Sequence, residues 1–119
     1  MAASCPKEWP APRLLIDPPE GPTAGADQPA QLDPTVAVEL RALMRSVVTG
    51  GTGTAANVPG ETVYGKTGTA EFGNGTPPQT HAWFIGYRGD LAFAVIVEGG
   101  GVGGRVAAPL AAKFLVAAP

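Results

Sequence analysis

The distribution of proline divides this sequence into two parts of different character. Eight of its 13 prolines precede residue 35, although the chain is 119 residues long. Proline lacks a backbone N–H and fixes φ, so it interrupts helices and central strands. We therefore predict that residues 1–32 form an irregular arm, in which only Arg13–Asp17 has the composition of a short strand. The packed domain is expected to lie in residues 33–119.

Composition excludes several classes of function. Hydrophobic residues make up 45% of the sequence, which is enough apolar surface for collapse. The net charge is only -2 and no basic run is present, so no nucleic-acid partner is predicted. With one cysteine, Cys5, and one histidine, His81, we predict no disulfide, no metal site and no cofactor. We also expect no signal peptide and no membrane anchor in this chain.

The element order predicts an α+β fold, in which one helix precedes three antiparallel strands and a second helix follows them. The first helix is predicted over residues 33–49, with Asp33 as N-cap and Pro34 at the first helical position. Its apolar stripe contains four residues, Val36, Leu40, Leu43 and Val47, and Met44 and Val48 widen it. Gly50-Gly51 should end the helix in a left-handed turn.

The strands are predicted over residues 62–72, 81–87 and 91–98. The tight turn at residues 88–90 makes the last two an antiparallel hairpin. The closing helix is predicted over residues 105–117, because Pro109 is tolerable only in the first turn. Its stripes are Val106, Leu110 and Phe114, and beside them Ala107, Ala111 and Leu115. We expect both helices on one face of the sheet, leaving an apolar patch and a strand edge uncovered.

The run Gly65–Glu71 carries the candidate chemistry. On an exposed strand edge, Lys66 would offer a fixed cation, and Thr67 and Thr69 would offer hydroxyls. Gly68 lacks the side chain that would block a ligand from the backbone. An extended peptide could then add as a further strand with its carboxylate held here, while the Thr69 N–H stabilises an oxyanion. Residues 60–67 also match a phosphate-loop pattern, but no helix can start after them, which argues against a nucleotide site.

This run, followed by His81–Tyr87, an apolar strand and an Ala-Ala-Pro helix, resembles the C-terminal part of penicillin-binding protein transpeptidase domains. The resemblance is greatest to class B proteins of actinobacterial type and covers residues 32–117. It implies part of the serine β-lactamase/transpeptidase-like fold, at the extracytoplasmic face of the bacterial cell envelope. It further implies that Lys66, Thr67 and Gly68 bind the carboxylate of D-alanyl peptides of peptidoglycan and of β-lactams. The Thr69 amide would belong to the oxyanion hole.

The sequence departs from the family in its serines. Ser46 is followed by two valines, so the Ser-x-Asn motif of the family is not found here. Ser4 and Lys7 do spell Ser-x-x-Lys, but Pro6 opposes a helix there, and 62 residues to Lys66 is shorter than the family's spacing. We therefore predict no catalytic nucleophile in this chain and no acyl transfer by it alone.

Three functions remain open at this point. The chain is part of a D,D-transpeptidase, active only with an upstream part that carries the nucleophile. Alternatively, it is a non-catalytic truncated fragment or a module that binds D-alanyl peptides weakly. The third reading is a piece of a serine β-lactamase or of a penicillin sensor, because these proteins share the Lys-Thr-Gly strand. The roles of His81 and Glu71 are left open.

Overall fold

A computed structural model describes residues 32–118. The helices are α1 (Pro34–Gly50) and α2 (Gly103–Ala117), with a single 3-10 turn at Thr54–Ala56. The strands are β1 (Tyr64–Phe72), β2 (Gln79–Arg88) and β3 (Leu91–Val97), which form an antiparallel sheet in the order β1-β2-β3. The predicted α+β element order is confirmed. The predicted arm, with Arg13–Asp17, and the Ser4–Lys7 motif with Cys5 lie outside the described residues.

The first helix begins as the sequence predicts and ends differently. Asp33 is its N-cap, and the carboxylate accepts a hydrogen bond of 2.7 Å from the Thr35 N–H. At the other end, Gly51 has φ -102° and ψ -153°, an extended conformation, so the predicted left-handed turn is wrong. A Cβ on Gly51 would lie 2.9 Å from Val47 Cα. Glycine therefore serves close packing at this position, not a left-handed backbone.

The second helix packs against the sheet through small side chains. Besides Gly103, four of its residues are buried, namely Ala107, Ala108, Ala111 and Leu115. They join Ala82 and Phe84 of β2 in the core. Leu110 and Phe114, on the first of the two predicted stripes, are 40% and 44% exposed. The helix also begins two residues earlier than predicted, at Gly103, so Pro109 lies inside it and beyond its first turn.

The first helix turns most of its predicted apolar stripe outward. Val36 and Leu40 are each 48% exposed and Leu43 is 65% exposed, whereas Val48 is fully buried. An exposed apolar stripe thus lies on α1, a different place from the uncovered sheet face on which we expected a patch. No helix among residues 32–118 has the length and apolar character needed to cross a membrane.

Helix α1 contributes Val48 to the same core as Phe84 of β2 and Leu115 of α2. Phe84 and Phe93 point to the face that α2 covers, because they pack with Leu115 and Phe114 of that helix. Ile85, Tyr87 and Ala92 alternate with them and so lie on the other face. These three residues line a cavity of about 380 Å³ together with Arg41 and Met44 of α1, and Phe93 lines it as well. The C-terminal end of α1 thus joins the core, while Arg41 and Met44 lie at the cavity beside Ile85 and Tyr87.

Candidate functional site

The predicted site run lies on β1, at the edge of the sheet. Within residues 32–118, β1 pairs with β2 alone, and Lys66, Thr67 and Gly68 stand opposite Ile85, Phe84 and Trp83. Successive side chains of a strand point to opposite faces. Lys66 is accordingly exposed, whereas Thr67, on the face toward α2, retains only 9% exposure.

Backbone polarity along β1 follows from the packing at Gly68. A Cβ built on Gly103 would overlap the carbonyl oxygens of both Gly68 and Trp83. Two oxygens can approach one point in this way only where both lie between the strands, as in a hydrogen-bonded antiparallel pair. The neighbouring residues Thr67 and Thr69 then form non-hydrogen-bonded pairs with β2. Their N–H and C=O groups therefore point to the free edge of β1.

The side chain of Lys66 returns to the same edge. Its Nζ donates a hydrogen bond of 2.6 Å to the Thr67 carbonyl oxygen, which the ladder to β2 leaves available. An ammonium carries three donors, so two remain for another acceptor. The free edge thus combines a fixed cation with the outward N–H of Thr69. This arrangement can hold the carboxylate of an extended peptide and donate to an oxygen that gains negative charge.

The hydroxyl groups of Thr67 and Thr69 are hydrogen-bonded on the inner face of β1, which is the face toward α2. The sequence did not predict these bonds. Thr67 Oγ1 lies 2.6 Å from Thr52 Oγ1, and Thr69 Oγ1 accepts a hydrogen bond of 3.2 Å from the Gly103 N–H. Thr52 follows α1, and Gly103 opens α2, so both come from segments distant in sequence. The glycine cluster at residues 99–104 was the one local signal of close backbone approach.

Two of the other polar residues that the sequence singled out, His81 and Ser46, have structural contacts. His81 stacks on Phe72 with ring centroids 4.0 Å apart, and its Nδ1 accepts a hydrogen bond of 3.1 Å from the Gly99 N–H. Ser46 donates its hydroxyl to the Leu43 carbonyl within α1 at 2.7 Å. Glu71 is exposed on β1, opposite Thr80. The register pairs His81 with Ala70, near the turn that joins β1 and β2 and four residues along β1 from Lys66.

Sequence comparison identifies the kind of domain to which these elements correspond. The family model described as the penicillin binding protein transpeptidase domain matches residues 24–116. The peptidoglycan D,D-transpeptidase PbpA of Mycobacterium tuberculosis (strain CDC 1551 / Oshkosh) is 36% identical over 108 residues. That match covers 81% of this chain and 21% of PbpA. The chain therefore spans about a fifth of the length of this curated relative.

Solved structures agree with the sequence comparison. The transpeptidase domain of the D,D-transpeptidase FtsI4 from Legionella pneumophila superposes with a TM-score of 0.64 and 28% identity, over 71% of this chain and 35% of that domain. Penicillin-binding protein A of M. tuberculosis, in a ceftriaxone acyl-enzyme complex, gives a TM-score of 0.63 and 34% identity, over 73% of this chain and 22% of that protein. The helices and the sheet are thus part of the serine β-lactamase-like fold.

Proposed function

The chain belongs to the penicillin-binding protein transpeptidase family, and we propose that β1 is its strand for binding the substrate carboxylate. The observation that carries the proposal is the free edge at Lys66–Thr69. There the Lys66 ammonium lies 2.6 Å from the outward carbonyl of Thr67, and the register turns the Thr69 N–H the same way. A cation beside an unpaired strand edge suits a ligand that is both extended and anionic.

The ligands that fit this edge are D-alanyl peptides of peptidoglycan and β-lactams, both of which carry a carboxylate. The peptide adds antiparallel to β1, with its backbone bonded to the outward groups of Thr67 and Thr69. The Lys66 ammonium pairs with the terminal carboxylate, and Gly68 leaves the approach to the backbone open. During acyl transfer the Thr69 N–H donates to the carbonyl oxygen as it gains negative charge.

Acyl transfer also needs a nucleophile, which we propose that this chain does not supply. Ser46 is engaged within α1, and no Ser-x-Asn motif is present in the sequence. Binding without a nucleophile and its base leaves the chemical step unassisted. The chain is then catalytic only together with the part of a transpeptidase domain that carries those groups, at the outer face of the cytoplasmic membrane.

The binding proposal is tested by replacing the cation. The affinity of the chain for N-acetyl-D-alanyl-D-alanine is measured by NMR titration, with Lys66→Met and Lys113→Met compared. Lys113 is an exposed lysine of α2 and controls for the loss of one positive charge. Loss of a charge-assisted hydrogen bond should weaken binding about tenfold or more in Lys66→Met and leave Lys113→Met unchanged. Equal affinities in the two variants would contradict the proposal.

The absence of a nucleophile is tested separately with a fluorescent penicillin. After incubation with the purified chain, a denaturing gel and intact-mass measurement should show no covalent adduct. A stoichiometric adduct would show that Ser4 or another residue is a nucleophile. In that case the chain would be a penicillin-reactive protein by itself.

A further inference from the structure

We infer that Thr52 and the first turn of α2 are positioning elements for the carboxylate-binding strand, which they hold from its inner face. The inference rests on the proposed function of β1. One edge of β1 must remain open for the ligand, so β2 constrains the strand from one side only. A further constraint comes from the face that carries Thr67 and Thr69, where both hydroxyl groups are hydrogen-bonded.

The first contact orients the hydroxyl of Thr67. Its Oγ1 lies 2.6 Å from Thr52 Oγ1, a short distance for a hydrogen bond between hydroxyls. Two hydroxyl groups carry two protons, and their mutual bond uses one of them. The other proton remains available for donation, and its donor strength is raised by the bond that its oxygen accepts. Thr52 thereby fixes the rotamer of Thr67 and polarises the pair.

In the second contact, the first turn of α2 packs directly on β1. Gly103 donates its N–H to Thr69 Oγ1 at 3.2 Å, next to the hydrogen-bonded pair of Gly68 and Trp83. A side chain at Gly103 would overlap the Gly68 and Trp83 carbonyl oxygens, so only glycine permits this approach.

The two contacts are joined within α2. A Cβ built on Gly104 would overlap the Thr52 carbonyl oxygen, so the same helical turn packs on the loop that bears Thr52. The first turn of α2 thus contacts both the strand and the residue that orients Thr67. Because the core residues Ala107 and Ala111 fix α2 on the sheet, the position of this turn is rigid.

The test compares Thr52→Val, which keeps the shape and removes the hydroxyl, with Thr52→Ser, which keeps the hydroxyl. In isotopically labelled chains, the three-bond couplings of Thr67 Cγ2 report its χ1 rotamer, and urea unfolding reports stability. In Thr52→Val, the Thr67 side chain should exchange between χ1 rotamers, and binding of N-acetyl-D-alanyl-D-alanine should weaken about three- to tenfold. Thr52→Ser should retain both the single Thr67 rotamer and the affinity for the peptide. A single Thr67 rotamer and unchanged affinity in Thr52→Val would overturn the inference.

The Gly103→Ala variant tests the second contact without relying on Thr52. Hydrogen exchange of the Gly68 and Trp83 amides should accelerate in it, because the added methyl group displaces α2 from their hydrogen-bonded pair. Unchanged exchange would overturn the positioning role of α2. If the unsubstituted chain does not bind the peptide at all, the proposed function fails. The Thr67 couplings and the amide exchange need no ligand. They would therefore still test whether Thr52 and the first turn of α2 position β1.

Discussion

The two helices of this chain use their apolar residues in opposite ways. In α2 the small residues are buried against the sheet, and Ala107, Ala108 and Ala111 have no exposed surface. In α1 the two leucines face outward, and Leu43 is 65% exposed. A helix that is apolar on two sides is suited to lie between two layers. The hydrophobic periodicity of a helix thus predicts its apolar faces but does not predict which of these faces packs against the sheet.

The largest expected effect comes from the face that α2 covers. Phe84 is fully buried, so Phe84→Ala should lower the free energy of unfolding by about 3–5 kcal/mol. The neighbouring Ile85 points to the other face and is 48% exposed, so Ile85→Ala should cost about 1 kcal/mol or less. Urea denaturation of the two variants measures the contrast. Equal losses would show that α2 does not define the main core.

Two glycines should respond to alanine in opposite directions. A Cβ on Gly86 would overlap the Tyr64 carbonyl oxygen and lie 3.0 Å from Phe84 Cε1, so Gly86→Ala should cost about 1–3 kcal/mol. A Cβ on Gly50, at the end of α1, would meet nothing within 4 Å. Gly50→Ala should therefore stabilise the chain by about 0.4–1 kcal/mol through the unfolded state. Thermal unfolding checks both, and a stable Gly86→Ala variant would contradict the packing of β1 on β2.

The start of α1 should depend on its cap, because this helix buries little surface. Asp33→Ala removes the acceptor for the Thr35 N–H and should cost about 1 kcal/mol. Asp33→Asn keeps a side-chain oxygen and should retain most of the stability. Circular dichroism during urea unfolding measures both variants. An unchanged midpoint for Asp33→Ala would mean that tertiary contacts, not the cap, hold this end.

The smallest effect on stability is expected on the exposed stripe of α1. Leu43→Gln should change the free energy of unfolding by no more than about 0.5 kcal/mol, because the side chain is largely in water already. It should nevertheless reduce self-association, since it divides an exposed apolar patch. Light scattering over a concentration series tests this, with Leu115→Gln in the buried stripe of α2 as the contrasting variant. A large loss of stability in Leu43→Gln would place its side chain in the core.

The sequence was most informative where the constraints are local. The Asp33 cap, the hairpin turn at Gly89 and the strand of Lys66–Thr69 all follow from propensity and turn chemistry within a few residues. The partners of Thr67 and Thr69 could not be predicted, because Thr52 and Gly103 reach them only after the chain has folded. The left-handed turn predicted at Gly50-Gly51 failed for a similar reason, since packing on Val47 requires the glycine there.

The carboxylate-binding role of β1 is tested most directly by a residue-resolved map of ligand contact on the unmodified chain. Amide chemical shifts are followed during titration with N-acetyl-D-alanyl-D-alanine and, as a matched control, with the same peptide ending in an amide. We predict shifts at Lys66–Thr69 and their opposite neighbours on β2, and a large loss of affinity when the carboxylate is absent. Shifts centred on the exposed stripe of α1, or equal affinity for the two peptides, would contradict this role.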